Sequence, residues 1–301
     1  MKKIFALLAA AALLAVACHR PNNPAAVGTA PTVPPEVAAY YKPANSLSGA
    51  ALKTALGKII YNRTERSYTA LWTDFQSTDI RPDGKVWDMY SGITNYTFGI
   101  DKDNGRGNAE GHFYNREHSF PNSWFGGRDQ APMFTDLHHL YPTDKFVNNK
   151  RGNHPFGETK GEKYTSTGGF SKLGRCTYPG YDGLVFEPND EYKGDFARTY
   201  FYMVTCYEEK LPDWYTNYSN LEGVAQTIDG STYPGLTKWQ LQMLMEWAAA
   251  DPVSEKEVHR NNVVDSIQHN RNPFIDYPGL ERYIWGDLMD STFSCEHYSI
   301  K

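Results

Sequence analysis

Between Asn115 and Glu158 the chain reads N-R-E-H-S-F-P-N-S-W-F-G-G and then, after a short interval, T-D-L-H-H-L-Y-P-T-D-K-F-V-N-N-K-R-G-N-H-P-F-G-E. A carboxylate stands beside a histidine (Glu117, His118), a second histidine pair follows (His138, His139), and Asn148, Lys150 and Arg151 close the stretch. A neutral imidazole takes a proton from water near pH 7. Carboxylate and amide oxygens suit a hard divalent cation, and the Lys and Arg side chains suit phosphate. Base, hard ligands and cations together are what metal-assisted phosphodiester hydrolysis requires.

These side chains need particular elements to bring them together. Neighbours on a regular strand point to opposite faces, so Glu117 and His118 share a site only if their strand ends there, and Pro121 with Asn122-Ser123 predicts such an early end. Asp136 to Tyr141 reads as a short extended segment closed by Pro142. Thr143 or Asp144 can then cap a helix carrying Val147, Asn148 and Arg151. Asn148 and Arg151 are three apart and share a helix face, which directs both toward one phosphate site. The predicted order is strand, strand, helix, the layout of a ββα metal-binding nuclease motif.

The pattern N-x-E-H-x-x-P…D-L-H-H-L-x-P…V-N-x-x-R-G-N resembles the bacterial endonuclease I family, secreted non-specific nucleases of the His-Me finger class. The resemblance continues in W-D-M-Y-S (Trp87 to Ser91), D-E-Y-K-G-D-F-A-R-T-Y-F-Y-M (Asp190 to Met203) and R-N-x-x-x-x-x-I-Q-H-N-R-N-P-F-I-D-Y-P (Arg260 to Pro278), and covers Ala50 to Trp285. It implies His118 as general base, with Glu117 and Asn148 as ligands of one divalent cation, Mg²⁺ with Mn²⁺ and Ca²⁺ as alternatives. It places a phosphate-binding arginine near Arg128, and Phe134 where relatives with longer connections carry a glutamate. His138 and His139 are expected to brace the loop. Lys150 and Arg151 are expected to contact substrate. The implied reaction is hydrolysis of DNA, with RNA left open, without marked sequence specificity and with 5′-phosphate ends.

The formal charge of −5 argues against nucleic-acid binding through global charge, and removing Lys2 and Lys3 with an N-terminal leader leaves −7. Locally the balance reverses: from Lys145 to Arg175 there are seven cations against Glu158 and Glu162. That is a phosphate footprint directly downstream of the histidines.

Lys2, Lys3 and the apolar run Ile4 to Val16 form an export signal over 1–17, too short to span a membrane. The run ends Ala15-Val16-Ala17-Cys18, a lipobox-like sequence that makes Cys18 a candidate lipidated N-terminus, with plain cleavage after Ala17 as the alternative. The expected product is an envelope lipoprotein touching membrane only through that anchor, or else a secreted or periplasmic protein. Cys176, Cys206 and Cys295 lack C-x-x-C spacing, and in an oxidising compartment two of them can pair, the partners being open.

Residues 18–45 read as a Pro/Ala-rich tether and 46–301 as one helix-rich α+β catalytic domain, expected to be a monomer. Helices are predicted from Ser46 or Ser48 through Ile60, over Tyr68 to Phe75, Asp195 to Tyr207 and Leu236 to Ala249, and from the Ser254-x-x-Glu257 capping box to Gln268. Val86 to Tyr90 and Tyr96 to Ile100 read as short strands. Two other functions fit parts of the pattern. One is a non-catalytic envelope lipoprotein binding nucleic acid or glycan through its 21 tyrosines and 7 tryptophans. The other is a zinc hydrolase on His112, His118, His138 and His139, which lack the tight spacing such sites show.

Overall fold

The structure, a computed structural model, describes residues 33–298 apart from Asp129. The export signal, Cys18 and the start of the tether lie outside the described residues. Packing begins before Ser46. Pro35, suited by its fixed φ to a helix start, opens α1 (Pro35–Tyr41), which buries Val37, Ala38 and Tyr41. The Tyr41 hydroxyl donates to Asp276 Oδ2 at 2.9 Å. The end of the stretch read as tether is therefore part of the folded domain.

The helices follow apolar stripes in the sequence. They are α2 (Gly49–Tyr61) and α3 (Leu71–Thr78) before the site; α5 (Lys193–Cys206), α6 (Leu211–Tyr218) and α7 (Val224–Thr227) after it; and then α8 (Lys238–Ala250), α9 (Glu255–Gln268), α10 (Pro273–Asp276) and α11 (Glu281–Trp285). Ser254 and Glu257 make the reciprocal capping box that opens α9. Among the described residues there are two small sheets: β1 (Tyr114–His118) with β2 (Leu140–Asp144), followed directly by α4 (Lys145–Arg151), and a meander of β3 (Tyr164–Thr165), β4 (Lys172–Arg175) and β5 (Leu184–Glu187). The protein is thus a mixed α+β fold.

Helix α5 is the spine. Every residue from Gly194 to Cys206 is buried, as expected of a helix packed on all sides. Its polar side chains must then find partners inside. Arg198 holds Glu257 with Nε 2.6 Å from Oε1. Tyr200 donates to Ser119 O at 3.0 Å, and Tyr202 to Asp136 Oδ2 at 2.8 Å. The last two bonds tie the spine to the segments around β1 and β2.

Two local expectations are corrected. Val86 to Tyr90 and Tyr96 to Ile100 are not paired strands; they share a single backbone bond, from Val86 N to Tyr96 O at 3.0 Å. Asp88 takes the Tyr90 amide and the Thr94 hydroxyl, so local side-chain bonds replace a ladder. Asp136 to Tyr141 is not extended throughout. Asp136 accepts the His138 amide and caps a 3-10 turn over Leu137–His139, and β2 starts only at Leu140.

Candidate active site

β1 ends at His118, and its register with β2 sets Glu117 opposite Tyr141 and His118 opposite Leu140. Pro142 is tolerated inside β2 because the sheet has only two strands, so each keeps a free edge. The chain passes straight into α4, with Asp144 as N-cap accepting the Val147 amide. Strand, strand and helix thus follow in the predicted order.

Glu117 is buried. Its Oε1 accepts from Tyr90 Oη at 2.8 Å and from Arg151 Nη1 at 2.7 Å. Burial raises the carboxyl above the ordinary glutamate value, while Arg151 and Tyr90 pull against that rise. Asn148, half-buried on α4, donates from Nδ2 to Asn115 Oδ1 at 2.9 Å and lies within hydrogen-bonding range of the Glu117 carboxylate. The amide is thereby oriented beside the carboxylate.

His118 is packed among Tyr68, Phe134, Phe125 and His139. Its Nε2 lies 2.9 Å from the carbonyl oxygen of Phe134. A carbonyl can only accept, so Nε2 carries the proton and Nδ1 keeps its lone pair. Asn122 Nδ2 stands 3.4 Å from Nδ1. Burial first, then the neighbouring His139, lowers the imidazole pKa to about 3. Across the neutral range the ring is therefore uncharged, with Nδ1 as its acceptor nitrogen beside the Asn122 amide.

Arg151 does not face a substrate. It is buried, with Nη1 also donating to His118 O at 3.0 Å and Nη2 to Ser119 O at 2.6 Å and Tyr200 Oη at 3.3 Å. Asn148 and Arg151 do share a helix face, but that face packs on β1, and the guanidinium locks Glu117 and the end of the strand. Lys150 is exposed and lies over the rings of Phe146 and Tyr164 at 5.0 and 5.7 Å. Arg128 is exposed, its guanidinium carbon 5.5 Å from the Tyr68 ring centroid.

His138 and His139 are buried, and their Nε2 atoms face the Asn270 and Met133 carbonyls at 3.3 and 2.7 Å. Those nitrogens are spent on the backbone. The Nε2 atoms of His118, His138 and His139 all face backbone carbonyls, which argues against the four-histidine zinc reading. No disulfide joins Cys176, Cys206 and Cys295, which are free thiols.

Burial lowers both His138 and His139 to about 4, against about 6.5 in an unfolded chain. The unfolded state therefore takes up protons first. The stability these neutral rings contribute is complete above about pH 6.5 and is lost as pH falls toward 4. The melting temperature is expected to decline steadily between pH 6.5 and 4.5, and less steeply in His139→Asn. Parallel Tm–pH curves for the two proteins would contradict this.

Sequence reading missed several contributors. Tyr90 sits in the W-D-M-Y-S segment and Asn122 four residues after His118, and both could have been singled out from those positions. The Phe134 carbonyl could not, because any residue type supplies one.

Comparison with known proteins gives the family. A model of the Endonuclease I family matches residues 48–279. The chain is 38% identical over 248 residues to the extracellular ribonuclease of Bacillus amyloliquefaciens, covering 82% of this chain and 78% of that one. It is 36% identical over 249 residues to the extracellular ribonuclease of Bacillus subtilis, with the same coverage. Endonuclease-1 of Buchnera aphidicola subsp. Baizongia pistaciae is 28% identical over 142 residues, 47% of this chain and 46% of that one. The protein is a nuclease, an enzyme whose substrate is nucleic acid. It belongs to the endonuclease I family. That family is generally dependent on a divalent metal, and the non-catalytic lipoprotein reading is set aside.

Proposed function

We propose that the protein is an exported, monomeric, metal-dependent endonuclease that hydrolyses phosphodiester bonds of DNA and RNA without marked sequence specificity. The observation that carries this reading is the neutral His118 imidazole, with Nδ1 as its acceptor, at the end of the strand that also carries Glu117, whose carboxylate lies within hydrogen-bonding range of Asn148. Recognition through phosphate contacts carries no sequence information. The RNA half of the proposal draws on the two relatives named extracellular ribonucleases.

The donor set fits the implied cation. One Glu117 oxygen is taken by Arg151 and Tyr90, and the Asn148 amide lies within hydrogen-bonding range of the same carboxylate. Two hard oxygen donors suit an ion such as Mg²⁺, which keeps much of its own water. When bound, the cation supplies positive charge to the phosphate and the departing 3′-oxygen.

The protein's own residues do the rest. His118 Nδ1 accepts the proton of the attacking water, and the Phe134 carbonyl holds the ring in the tautomer that allows this. Arg151 and Tyr90 fix the Glu117 carboxylate, and Asn115 fixes the Asn148 amide. Exposed Lys150 and Arg128 attract the substrate backbone. The break leaves a 5′-phosphate and a 3′-hydroxyl.

Digestion of plasmid DNA and of a structured RNA tests the reading, with Mg²⁺, Mn²⁺, Ca²⁺ or Zn²⁺ added singly and with EDTA. Cleavage of both substrates that EDTA abolishes is expected. Undiminished cleavage in EDTA would remove the metal, and inert RNA would remove the ribonuclease half.

The export signal and the Cys18 anchor belong to this proposal too. The relatives named extracellular point to secretion.

A further inference from the structure

Buried arginines in this protein hold carboxylates. Arg198 pairs with Glu257, Arg260 with Asp79 and Arg271 with Asp276. Arg116, only half-buried, has no such partner among the described residues. It lies on β1 two residues before His118, on the same strand face. Its guanidinium carbon sits 3.4 Å from the Tyr68 ring centroid and 4.3 Å from that of Trp72. Nη1 donates to Tyr68 O at 2.6 Å, and Nε is buried with no hydrogen-bond partner. Among the described residues no carboxylate forms an ion pair with it. Asp103, an acid that acts on it from a distance, is engaged by Lys145 at 2.7 Å.

A second cation shares the same ring. Arg128 stands over Tyr68 at 5.5 Å, close enough that its charge disfavours that of Arg116. Tyr68 in turn lies nearly parallel to His118, with ring centroids 6.2 Å apart and planes at 22°. Two like charges thus share one tyrosine beside the proposed base, and an anion between them would relieve their repulsion.

Arg116 and His118 start one pleat apart on the same strand face. Two residues of strand separate Arg116 from His118, an advance of about 6.6 Å. Trp72, on the other side of the guanidinium, also packs edge-on against Tyr114 at the start of β1, with ring centroids 5.6 Å apart.

We propose that Arg116 and Arg128, stacked on Tyr68, form a subsite for a phosphate of the substrate strand that flanks the scissile one. This rests on the nuclease reading above and sharpens it: the ligand is a polynucleotide strand rather than an isolated phosphodiester.

The test uses binding, in the full-length protein carrying His118→Ala, of a fluorescently labelled single strand of about twelve nucleotides across a salt series. Each phosphate contact contributes about 0.7 to the slope of log K against log salt for single strands. Adding Arg116→Gln is expected to weaken binding about tenfold and reduce the slope by about 0.7, and Arg116→Lys is expected to recover the slope. Arg128→Gln, at an exposed position where folding is not at stake, is expected to lower the slope similarly.

An unchanged slope in both glutamine variants overturns the subsite, as does a lysine variant that behaves like glutamine. If the His118→Ala protein binds no strand at any salt concentration, the nuclease reading falls with it. If it binds with a slope indifferent to Arg116 and Arg128, only the subsite falls.

Discussion

His118→Ala lowers the rate of phosphodiester hydrolysis by about 10³-fold, the central part of the range for removing a positioned general base. The loss appears in kcat, since the imidazole acts on the attacking water and does not hold the substrate. Cation binding is retained, because the ring contributes no donor to the Glu117–Asn148 pair. His118→Gln separates chemistry from packing: its amide nitrogen reaches the place of Nε2 and can still donate to the Phe134 carbonyl, yet offers no base. The expected result is an equally inactive protein with a melting temperature nearer the parent's. Near-parental cleavage of plasmid DNA by either variant would remove His118 from the mechanism.

Arg151→Met is expected to act first on stability. The guanidinium is the counter-charge of a buried glutamate and the donor to the His118 and Ser119 carbonyls. Removing one member of a buried ion pair costs about 3–5 kcal/mol, because the other charge is stranded. For a domain of this size that lowers the melting temperature by roughly 6–20 °C. With its partner gone, Glu117 favours the protonated form, so affinity for the divalent cation falls as well.

The double variant Glu117→Gln with Arg151→Met recovers much of the lost stability and none of the activity. A phosphate-binding arginine behaves differently: its loss raises KM with the melting temperature unchanged. A calorimetric scan and a KM measurement on Arg151→Met therefore decide between the two roles.

Both variants probe features whose visibility in the sequence differed sharply. The E-H pair, the strand end imposed before Pro121, the Asp144 cap and the helix carrying Asn148 were all legible, because each is set by residues within a few positions of one another. The helices α5, α8 and α9 were legible for the same reason, as apolar periodicity and a capping box are local signals. The expected strands near Val86 and Tyr96 failed on a local competitor: Asp88 bonds the backbone and hydroxyl groups around it. The helix α1 was overlooked inside a Pro/Ala-rich run whose Val37, Ala38 and Tyr41 face the core.

The role of a charged side chain was not legible, since it depends on what lies opposite. Arg151 looked like a phosphate ligand until Glu117 and Tyr200, far away in sequence, enclosed it. Arg116 drew no expectation from its sequence neighbours, and its role comes from Tyr68 and Trp72 stacked on it without a carboxylate. The tautomer of His118 depends on the Phe134 carbonyl, a backbone group that every residue carries.

By itself the sequence determined the chemical inventory and the order of strand, strand and helix, because side-chain type and backbone preference are local properties. Only the tertiary structure decided which cations are spent inside and which remain for the substrate. Burial and counter-charge are properties of a neighbourhood, assembled here from α3, α5 and the segment around Tyr90.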